Sequence, residues 1–127
     1  MNVVKGLYYS EDHEWVKVEG TKAKVGITDY AQHAMGDIVY VELPDEDDEL
    51  DAGESFGVIE SVKAASDSFI PVSGTVTAVN EDIEDDYGVL NTDPYANWIV
   101  EVELSDVSEL EKLMDAEKYE AFTSEEA

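Results

Sequence analysis

One lysine is isolated from the other basic residues of this 127-residue chain. Lys63 is the only lysine between Lys24 and Lys112, and its neighbours, among them Ser61 and Ala64, are small. An apolar segment leads into this stretch and another leaves it, so the lysine is expected at or near the tip of a hairpin. Small neighbours leave its ammonium group open to a modifying enzyme, as the attachment of a prosthetic group requires. The spacing by itself fits an ordinary solvated lysine on a turn better.

Other groups that could do chemistry are scarce. The chain has no cysteine and two histidines, which excludes a disulfide or a cysteine nucleophile and disfavours a histidine zinc cage. The run His13-Glu14-Trp15 begins like a metalloprotease motif, but the second histidine of that motif would fall at Lys17. No serine lies in a nucleophile elbow, and no glycine-rich phosphate loop occurs. The sequence therefore offers few of the side chains that nucleophilic or metal-assisted catalysis requires.

Acidic side chains greatly outnumber basic ones. The 32 aspartate and glutamate residues face 7 lysines, which gives a formal net charge of -25. Such a surface repels phosphate backbones and anionic lipids, so neither nucleic acid nor a membrane is an expected partner. No run approaches the roughly 18 consecutive apolar residues of a membrane span, and the start lacks the apolar stretch of a secretory signal. We therefore expect a cytoplasmic protein, or a mitochondrial matrix protein if a presequence was removed.

Turn signals divide the middle of the chain into short segments. Several segments alternate apolar and polar residues, as at Val39, Val41 and Leu43, which indicates strands with one buried face. Glycines separate the segments, as is typical of a small all-β barrel or sandwich. Strands are predicted at 15–18, 22–27, 38–43, 55–61, 75–79 and 98–103.

Two parts of the chain carry helical signals instead. Residues 28–36 predict a short internal helix, with Thr28 capping its first turn and Gly36 closing it. From Ser105, which is a suitable N-cap, apolar residues beginning at Val107 recur at helical spacing. This spacing predicts C-terminal helices whose apolar stripe packs onto the barrel.

Two acidic runs, at residues 45–49 and 81–86, are predicted to be solvated loops. The first does not match a calcium-binding loop, because Leu50 stands where the glycine of such a loop belongs. No linker or low-complexity tract interrupts the chain. We therefore expect one domain over residues 1–127, with a helical extension from about residue 105.

Seven short blocks along the chain carry a resemblance to a known family. They are residues 13–15, 26–31, 36–44, 60–64, 71–74, 90–91 and 93–95. In this order the blocks resemble the H proteins of the glycine cleavage system, a family of lipoyl carriers, and because the resemblance runs nearly end to end it is more specific than any single motif. It implies a mainly β fold, a flattened barrel or sandwich of the lipoyl and biotinyl carrier type (a barrel-sandwich hybrid). It also implies lipoic acid amide-linked to Lys63.

The same resemblance implies a shuttle substrate rather than an enzyme. Such a carrier takes an aminomethyl group from a pyridoxal-phosphate glycine decarboxylase to an aminomethyltransferase, in glycine catabolism and one-carbon metabolism. A dihydrolipoamide dehydrogenase then reoxidises its dithiol. A lipoate-attaching enzyme must first modify Lys63, and the family suggests that it also reads Glu60 and Gly74. The carrier is expected to be a monomer.

The lipoyl arm is loaded when it bears the aminomethyl group. The amine of that group is protonated near neutral pH, and water can hydrolyse the group from the arm. Carboxylates beside a shallow cleft would hold such an ammonium by charge-assisted hydrogen bonds. We therefore predict that Glu14 and Asp67, helped by Asp12, clamp the loaded arm, with the ring of Trp15 as a wall. Among 32 carboxylates, two near the lysine are also expected by chance.

Four alternatives remain open at this point. The chain could donate lipoate to other proteins, or it could be a lipoyl domain of an oxo-acid dehydrogenase complex, although it lacks the usual Pro/Ala-rich linker. A biotinyl carrier would have methionines beside the lysine, where Val62 and Ala64 stand. An unmodified acidic adaptor is the simplest alternative.

Overall fold

A computed structural model describes residues 2–126, with side chains described up to residue 124. The chain forms one six-stranded antiparallel sheet, in the order β1-β2-β3-β9-β8-β5, and one three-stranded antiparallel sheet, in the order β4-β6-β7. The strands are β1 (Tyr8–Tyr9), β2 (Glu14–Glu19), β3 (Lys22–Ile27), β4 (Ile38–Glu42), β5 (Glu49–Leu50), β6 (Ser55–Ser61), β7 (Ala65–Phe69), β8 (Gly74–Val79) and β9 (Val100–Leu104).

Three α-helices and two 3-10 helices connect or follow these strands. The α-helices are α1 (Asp29–Met35), α2 (Val89–Thr92) and α3 (Ala116–Glu126), and the 3-10 helices are Glu81–Asp85 and Val107–Lys112. The predicted mainly β architecture is confirmed. Within residues 2–126, no helix is long and apolar enough to cross a membrane.

Apolar side chains from both sheets pack into one core. Val25 of β3 and Val102 of β9 come from the larger sheet, and Val41 and Ile59 form a directly opposed pair in the smaller one. All four are buried. Because successive side chains along a strand point to opposite faces, the sequence neighbours of these residues point away from the core. The smaller sheet thus has a solvent-facing side.

The six predicted strands are present, and each begins and ends within two residues of its predicted bounds. The sequence missed the two-residue strands β1 and β5, and also β7. The residues of β7 up to Ser68 are small or polar and give no strand signal of their own. They become a strand because the turn after β6 folds them back onto it, with Glu60 opposite Ala65.

The internal helix was predicted correctly, including its caps. The hydroxyl of Thr28 accepts a hydrogen bond from the N–H of Ala31 at 3.2 Å. Gly36 ends the helix with φ of 80°, a left-handed conformation that glycine adopts without strain, and its N–H donates to Gln32 O at 3.0 Å. Helix α1 is thereby fixed at both ends.

The predicted C-terminal helices are present, but the N-cap predicted at Ser105 is off by one residue. Asp106, not Ser105, caps the 3-10 helix, and the helical run breaks before α3. The break arises because Met114 exchanges two backbone hydrogen bonds with Tyr9, at 2.8 and 2.9 Å, which removes those groups from a helix. Val107 is 59% exposed and is not part of the buried stripe, whereas Tyr119 is buried.

The acidic run at 81–86 also differs from the prediction. It forms the 3-10 helix Glu81–Asp85 rather than an irregular loop. Its carboxylates are exposed, as expected, but Ile83 is fully buried in the core. One apolar side chain among five acidic ones is enough to order the segment, because burying it removes its surface from water.

Candidate functional site

The hairpin between β6 and β7 carries Lys63 at its tip. The N–H of Ser61 donates to Ala64 O at 2.8 Å and closes the turn. The hydroxyl oxygen of Ser61 lies 3.2 Å from the N–H of Lys63 and 3.3 Å from that of Ala64, so the serine side chain accepts from the backbone of the tip. The tip is therefore ordered while the Lys63 side chain is exposed.

The loop that follows α1 lies beneath this tip. The N–H of Val62 donates to Asp37 O at 3.0 Å, which ties the hairpin to the loop. A Cβ atom on Gly36 would lie 3.2 Å from Cε of Lys63, closer than most side chains tolerate. Because the end of the exposed Lys63 side chain can move aside, the positive φ is the reason that position 36 requires glycine.

Asn91 of α2 holds that loop in place, and sequence reasoning assigned it no role. Its amide oxygen accepts from the N–H of Ile38 at 2.9 Å. Its amide nitrogen donates to Gly36 O at 2.8 Å and to the side chain of Gln32 at 3.0 Å. One side chain thus fixes both ends of the segment that supports Lys63. The only signal in the sequence was that Asn91 belongs to a block resembling the H proteins.

A cavity of about 380 Å³ opens beside Lys63. One wall is a face of α1, where the side chains are mainly apolar, and the opposite wall is the end of the hairpin. Asp12 reaches this cavity, so the structure brings one of the three predicted clamp carboxylates beside the lysine. The principal α1 and hairpin residues lining it are Tyr30, Ala31, Ala34, Met35, Ala64 and Ser66.

His13 forms an aromatic part of the same cavity. It adopts φ of 68°, which is uncommon for a residue other than glycine. Its ring stacks on Tyr30 with centroids 4.3 Å apart, and its Nδ1 lies 2.8 Å from the hydroxyl of Tyr119. The Tyr119 hydroxyl also lies 2.7 Å from that of Thr28. These contacts offset the backbone strain and connect α3 to the cavity wall.

Glu14 lines a second cavity, of about 330 Å³, on the other side of Asp12. Its side chain is 3% exposed. Burial raises the pKa of Glu14 to about 8, although the hydrogen bond from the hydroxyl of Ser10, at 2.8 Å, favours the ionised form. Glu14 is therefore largely protonated near neutral pH. Asp12 lines both cavities and joins the site of Lys63 to that of Glu14.

Asp67 and Glu60 lie elsewhere, on the outer face of the three-stranded sheet. Both are exposed. Asp67 stands opposite Val58, with its carboxylate 3.4 Å from the hydroxyl of Ser55, and it lines neither cavity. The structure therefore does not bring Asp67 together with Glu14. Glu60 stands opposite Tyr40 on the same outer face.

Trp15 does not wall either cavity, contrary to the prediction. It is buried on the opposite side of its strand, where its indole N–H donates to Pro94 O at 3.1 Å and its ring covers Gly26. Because side chains alternate along a strand, Glu14 and Trp15 cannot share a face. His13 supplies the aromatic wall instead.

Gly74, which the resemblance assigns to recognition by the lipoate-attaching enzyme, lies in a strand and not in a turn. It is the first residue of β8 and is buried between Leu50 and Leu104. A Cβ atom at this position would collide with the backbone oxygen of Glu103 in β9. Close approach of two strands, rather than a left-handed backbone, therefore requires glycine here.

Comparison with known proteins agrees with this geometry. A family model described as "Glycine cleavage H-protein" matches residues 7–126. The chain is 60% identical to the glycine cleavage system H protein of Thermoanaerobacter pseudethanolicus over 126 residues, which cover 99% of this chain and all of the relative. It is 57% identical to that of Alkaliphilus oremlandii over 127 residues, which span both chains completely.

A solved structure shares the fold as well as the sequence. The crystal structure of a glycine cleavage system H protein from Mycobacterium marinum is similar, with a TM-score of 0.88 and 36% sequence identity. The match covers 96% of this chain and 99% of the other. Sequence, fold and the exposed lysine on its hairpin agree, and the chain belongs to the glycine cleavage H-protein family.

Proposed function

We propose that this chain is the lipoylated carrier of a glycine cleavage system, with lipoate amide-linked to Lys63. Family membership supports the carrier role, and the position of Lys63 is the observation that carries the attachment site. Its side chain is exposed at an ordered tip, and its Nζ has no hydrogen bond or salt bridge to any other residue within 2–126. An amine that is accessible and uncommitted is what an acylating enzyme needs.

The residues around Lys63 fit a lipoyl arm. The apolar side chains of α1 and Ala64 line the cavity beside Lys63 and offer contact for a hydrocarbon chain. Once attached, the lipoyl group would supply a disulfide that takes up two electrons as one sulfur accepts an aminomethyl group, and a dithiol would remain after that group is passed on. The protein's part is to present, shelter and release the arm.

Attachment of lipoate converts the positively charged Lys63 ammonium into a neutral amide. The Lys63 ammonium loses a proton, and its nitrogen attacks the carbonyl carbon of an activated lipoyl donor supplied by the attaching enzyme. The C–N bond forms as the bond to the leaving group breaks, the leaving group departs with its electron pair, and the second amine proton passes to a base. The formal charge changes from -25 to -26, because one positive charge is lost.

The carrier serves three enzymes in this proposal and is not itself an enzyme. They are the pyridoxal-phosphate glycine decarboxylase, the aminomethyltransferase and the dihydrolipoamide dehydrogenase. A tethered arm raises its effective concentration at each active site once the carrier docks. In this proposal residues 1–127 act as one carrier domain, and the carrier works as a monomer.

For the loaded arm, we assign the ammonium-holding role to Asp12 and Glu14. Asp12 lines both cavities, and Glu14 lines the one that does not contain Lys63. The arrival of a cation stabilises the ionised form of Glu14, so its proton would be released as the ammonium enters. Asp67 remains outside both cavities and would reach the amine only if the arm crossed the outer face.

Substitution of Lys63 tests the proposal. Lys63→Arg keeps the charge and the long stem but removes the acylatable amine. Intact mass of both proteins from a lipoylation-competent host should show a lipoyl increment for wild type and none for the variant, while thermal unfolding stays the same. Shuttle activity with the partner enzymes should be lost in the variant. A biotinyl increment, or a lipoyl increment on the variant, would refute the assignment.

A further inference from the structure

A buried tyrosine of α3 joins two parts of the wall of the cavity beside Lys63, which we call the Lys63 cavity. The hydroxyl of Tyr119 lies 2.8 Å from Nδ1 of His13 and 2.7 Å from Oγ1 of Thr28. His13 lines the Lys63 cavity, and Thr28 is the N-cap of α1, which forms another part of its wall. Tyr119 and Thr28 are both buried, and Tyr119 contacts the wall without lining the cavity itself.

The ring of Tyr119 and its hydroxyl have separable roles. The ring stacks on Tyr9, with centroids 4.5 Å apart and planes at 7°, and packs against Phe122. A phenylalanine would make these ring contacts equally well. The hydroxyl has one hydrogen to donate and can also accept, so it can bond to His13 and Thr28 at the same time. The hydroxyl, rather than the ring, therefore links α3 to the two parts of the cavity wall.

Both parts of the wall need such support. His13 has φ of 68°, a conformation that persists in a residue other than glycine only where the surrounding contacts hold it. Helix α1 has seven residues, too few to be stable by itself, and the Thr28 hydroxyl that caps it bonds to the same phenol. The His13 ring also stacks on Tyr30 of α1. A shift of either part would therefore move the other.

We propose that Tyr119 is a positioning residue for the lipoyl arm, because its hydroxyl holds His13 and the start of α1 at the separation that keeps the Lys63 cavity closed to water. This rests on the proposed attachment of lipoate to Lys63. Tyr119 acts through the cavity wall and does not touch the arm. Helix α3 thereby belongs to the carrier's working site, although it is remote from Lys63 in the chain.

Loss of the Tyr119 hydroxyl has a chemical consequence for the loaded arm. In hydrolysis, the oxygen of a water molecule bonds to the aminomethyl carbon as the C–S bond breaks, and the sulfur takes the electron pair and a proton. Ammonia then leaves the same carbon as its carbonyl bond forms, so the products are the thiol, formaldehyde and ammonia. A looser cavity admits more water to that carbon. We therefore expect the one-carbon unit to be lost faster.

Tyr119→Phe and Tyr9→Phe separate this role from general stability. Each removes one hydroxyl from the same stacked pair of rings, but the hydroxyl of Tyr9 bonds to backbone atoms of Val4, at 2.6 and 2.8 Å. After loading by the glycine decarboxylase and removal of that enzyme, Tyr119→Phe should release formaldehyde about five- to twentyfold faster than wild type, because the bonds that hold the wall are lost. Tyr9→Phe should stay within about twofold of wild type, although both variants should lose similar stability to urea.

Amide hydrogen exchange in the unmodified chain gives a second measurement that needs no lipoate. The N–H of Thr28 donates to His13 O at 3.1 Å, and that of Ala31 donates to the Thr28 hydroxyl at 3.2 Å. Both should exchange at least about tenfold faster in Tyr119→Phe and close to wild-type rates in Tyr9→Phe. Thr28→Val should hydrolyse the loaded arm as fast as Tyr119→Phe does. Thr28→Ser, which keeps the hydroxyl, should restore the wild-type rate.

Three results would overturn the proposal. Hydrolysis or exchange at the wild-type rate in Tyr119→Phe would show that the ring alone holds the wall. Equal acceleration in Tyr119→Phe and Tyr9→Phe would assign the effect to general stability. A wild-type hydrolysis rate in Thr28→Val would exclude positioning through α1. If wild type never carries lipoate, the proposed function fails, and exchange in the unmodified chain still decides whether Tyr119 positions the wall.

Discussion

Glu14 has the most perturbed environment of the candidate site residues. Its carboxyl is buried beside the cavity and bonded to Ser10, and burial raises its pKa to about 8. An acid held neutral at the end of a cleft has little effect until a cation arrives, and then it can ionise. The protein thereby keeps a strong ammonium partner without an unpaired buried charge in the empty state.

Glu14 should make stability depend on pH in a defined direction. In the unfolded chain its pKa is near 4.5, so its contribution is complete below about pH 4.5 and is lost as pH rises through 8. Glu14→Gln does not titrate. From pH 5 to pH 8.5, the free energy of unfolding of wild type should therefore fall relative to the variant by about 4 kcal/mol.

Urea unfolding across this pH range measures the difference, with Glu11→Gln as the matched control. Glu11 borders the same cavity but is exposed. A parallel pH dependence of wild type and Glu14→Gln would contradict a buried, protonated Glu14. The same variant should hydrolyse the aminomethylated arm faster if Glu14 holds its ammonium.

Among the structural elements, α2 supports the site more than its four residues suggest. Asn91 bonds to three groups at the start of β4 and the end of α1, and that segment holds the hairpin through the Val62 N–H. Removing the amide leaves Gly36 O and Ile38 N without this partner, at a cost of about 1–3 kcal/mol. Asn91 thus positions Lys63 without touching it.

Amide hydrogen exchange tests this role of α2. In Asn91→Ala, the N–H groups of Ile38 and Val62 should exchange at least about tenfold faster, because the loop beneath the tip loosens. Asn97→Ala is a matched control, since Asn97 also bonds to backbone oxygens of this region, those of Asp93 and Val89, but not to the loop. Equal protection of both N–H groups in wild type and Asn91→Ala would show that the loop is stable without the Asn91 side chain.

The elements that sequence could predict are those whose signals are local. The positions of β4 and β6, the caps of α1 and the tip position of Lys63 all depend on neighbours within a few residues. The alternation predicted for β4 is wrong at Val39, which is 53% exposed because the pairing of β4 with β6 shifts register there. The role of Asn91 could not be predicted, because its bond to Ile38 spans 53 positions. Strand β7 was missed because its residues have little strand propensity and form a strand only by pairing with β6. Asp67 was misplaced because the register of that pairing decides which face of the sheet its carboxylate is on.

At the scale of the whole molecule, the charge of -25 should govern how the carrier meets its partners. Only two lysines, Lys17 and Lys24, form salt bridges in the part of the chain that the structure describes, both with Glu19, so most carboxylates are uncompensated. A field of this kind accelerates association with basic surfaces and is screened beyond about 8–10 Å at physiological salt.

Stopped-flow association with a partner enzyme should therefore slow about tenfold or more between 20 mM and 500 mM salt. The dissociation rate should change much less, because steering acts before contact. Potassium chloride and potassium glutamate should give the same dependence if the effect is screening. An association rate that is independent of salt would contradict steering by the acidic surface.

The central claim is that Lys63 carries the lipoyl group, and mapping the modified peptide tests it most directly. Wild-type protein from a lipoylation-competent host would be digested and sequenced by tandem mass spectrometry, with all seven lysines covered. We predict that the lipoyl mass lies on Lys63 and that the other six lysines are unmodified. A lipoyl group on any other lysine, or an unmodified Lys63 after incubation with a competent attaching enzyme, would contradict the claim.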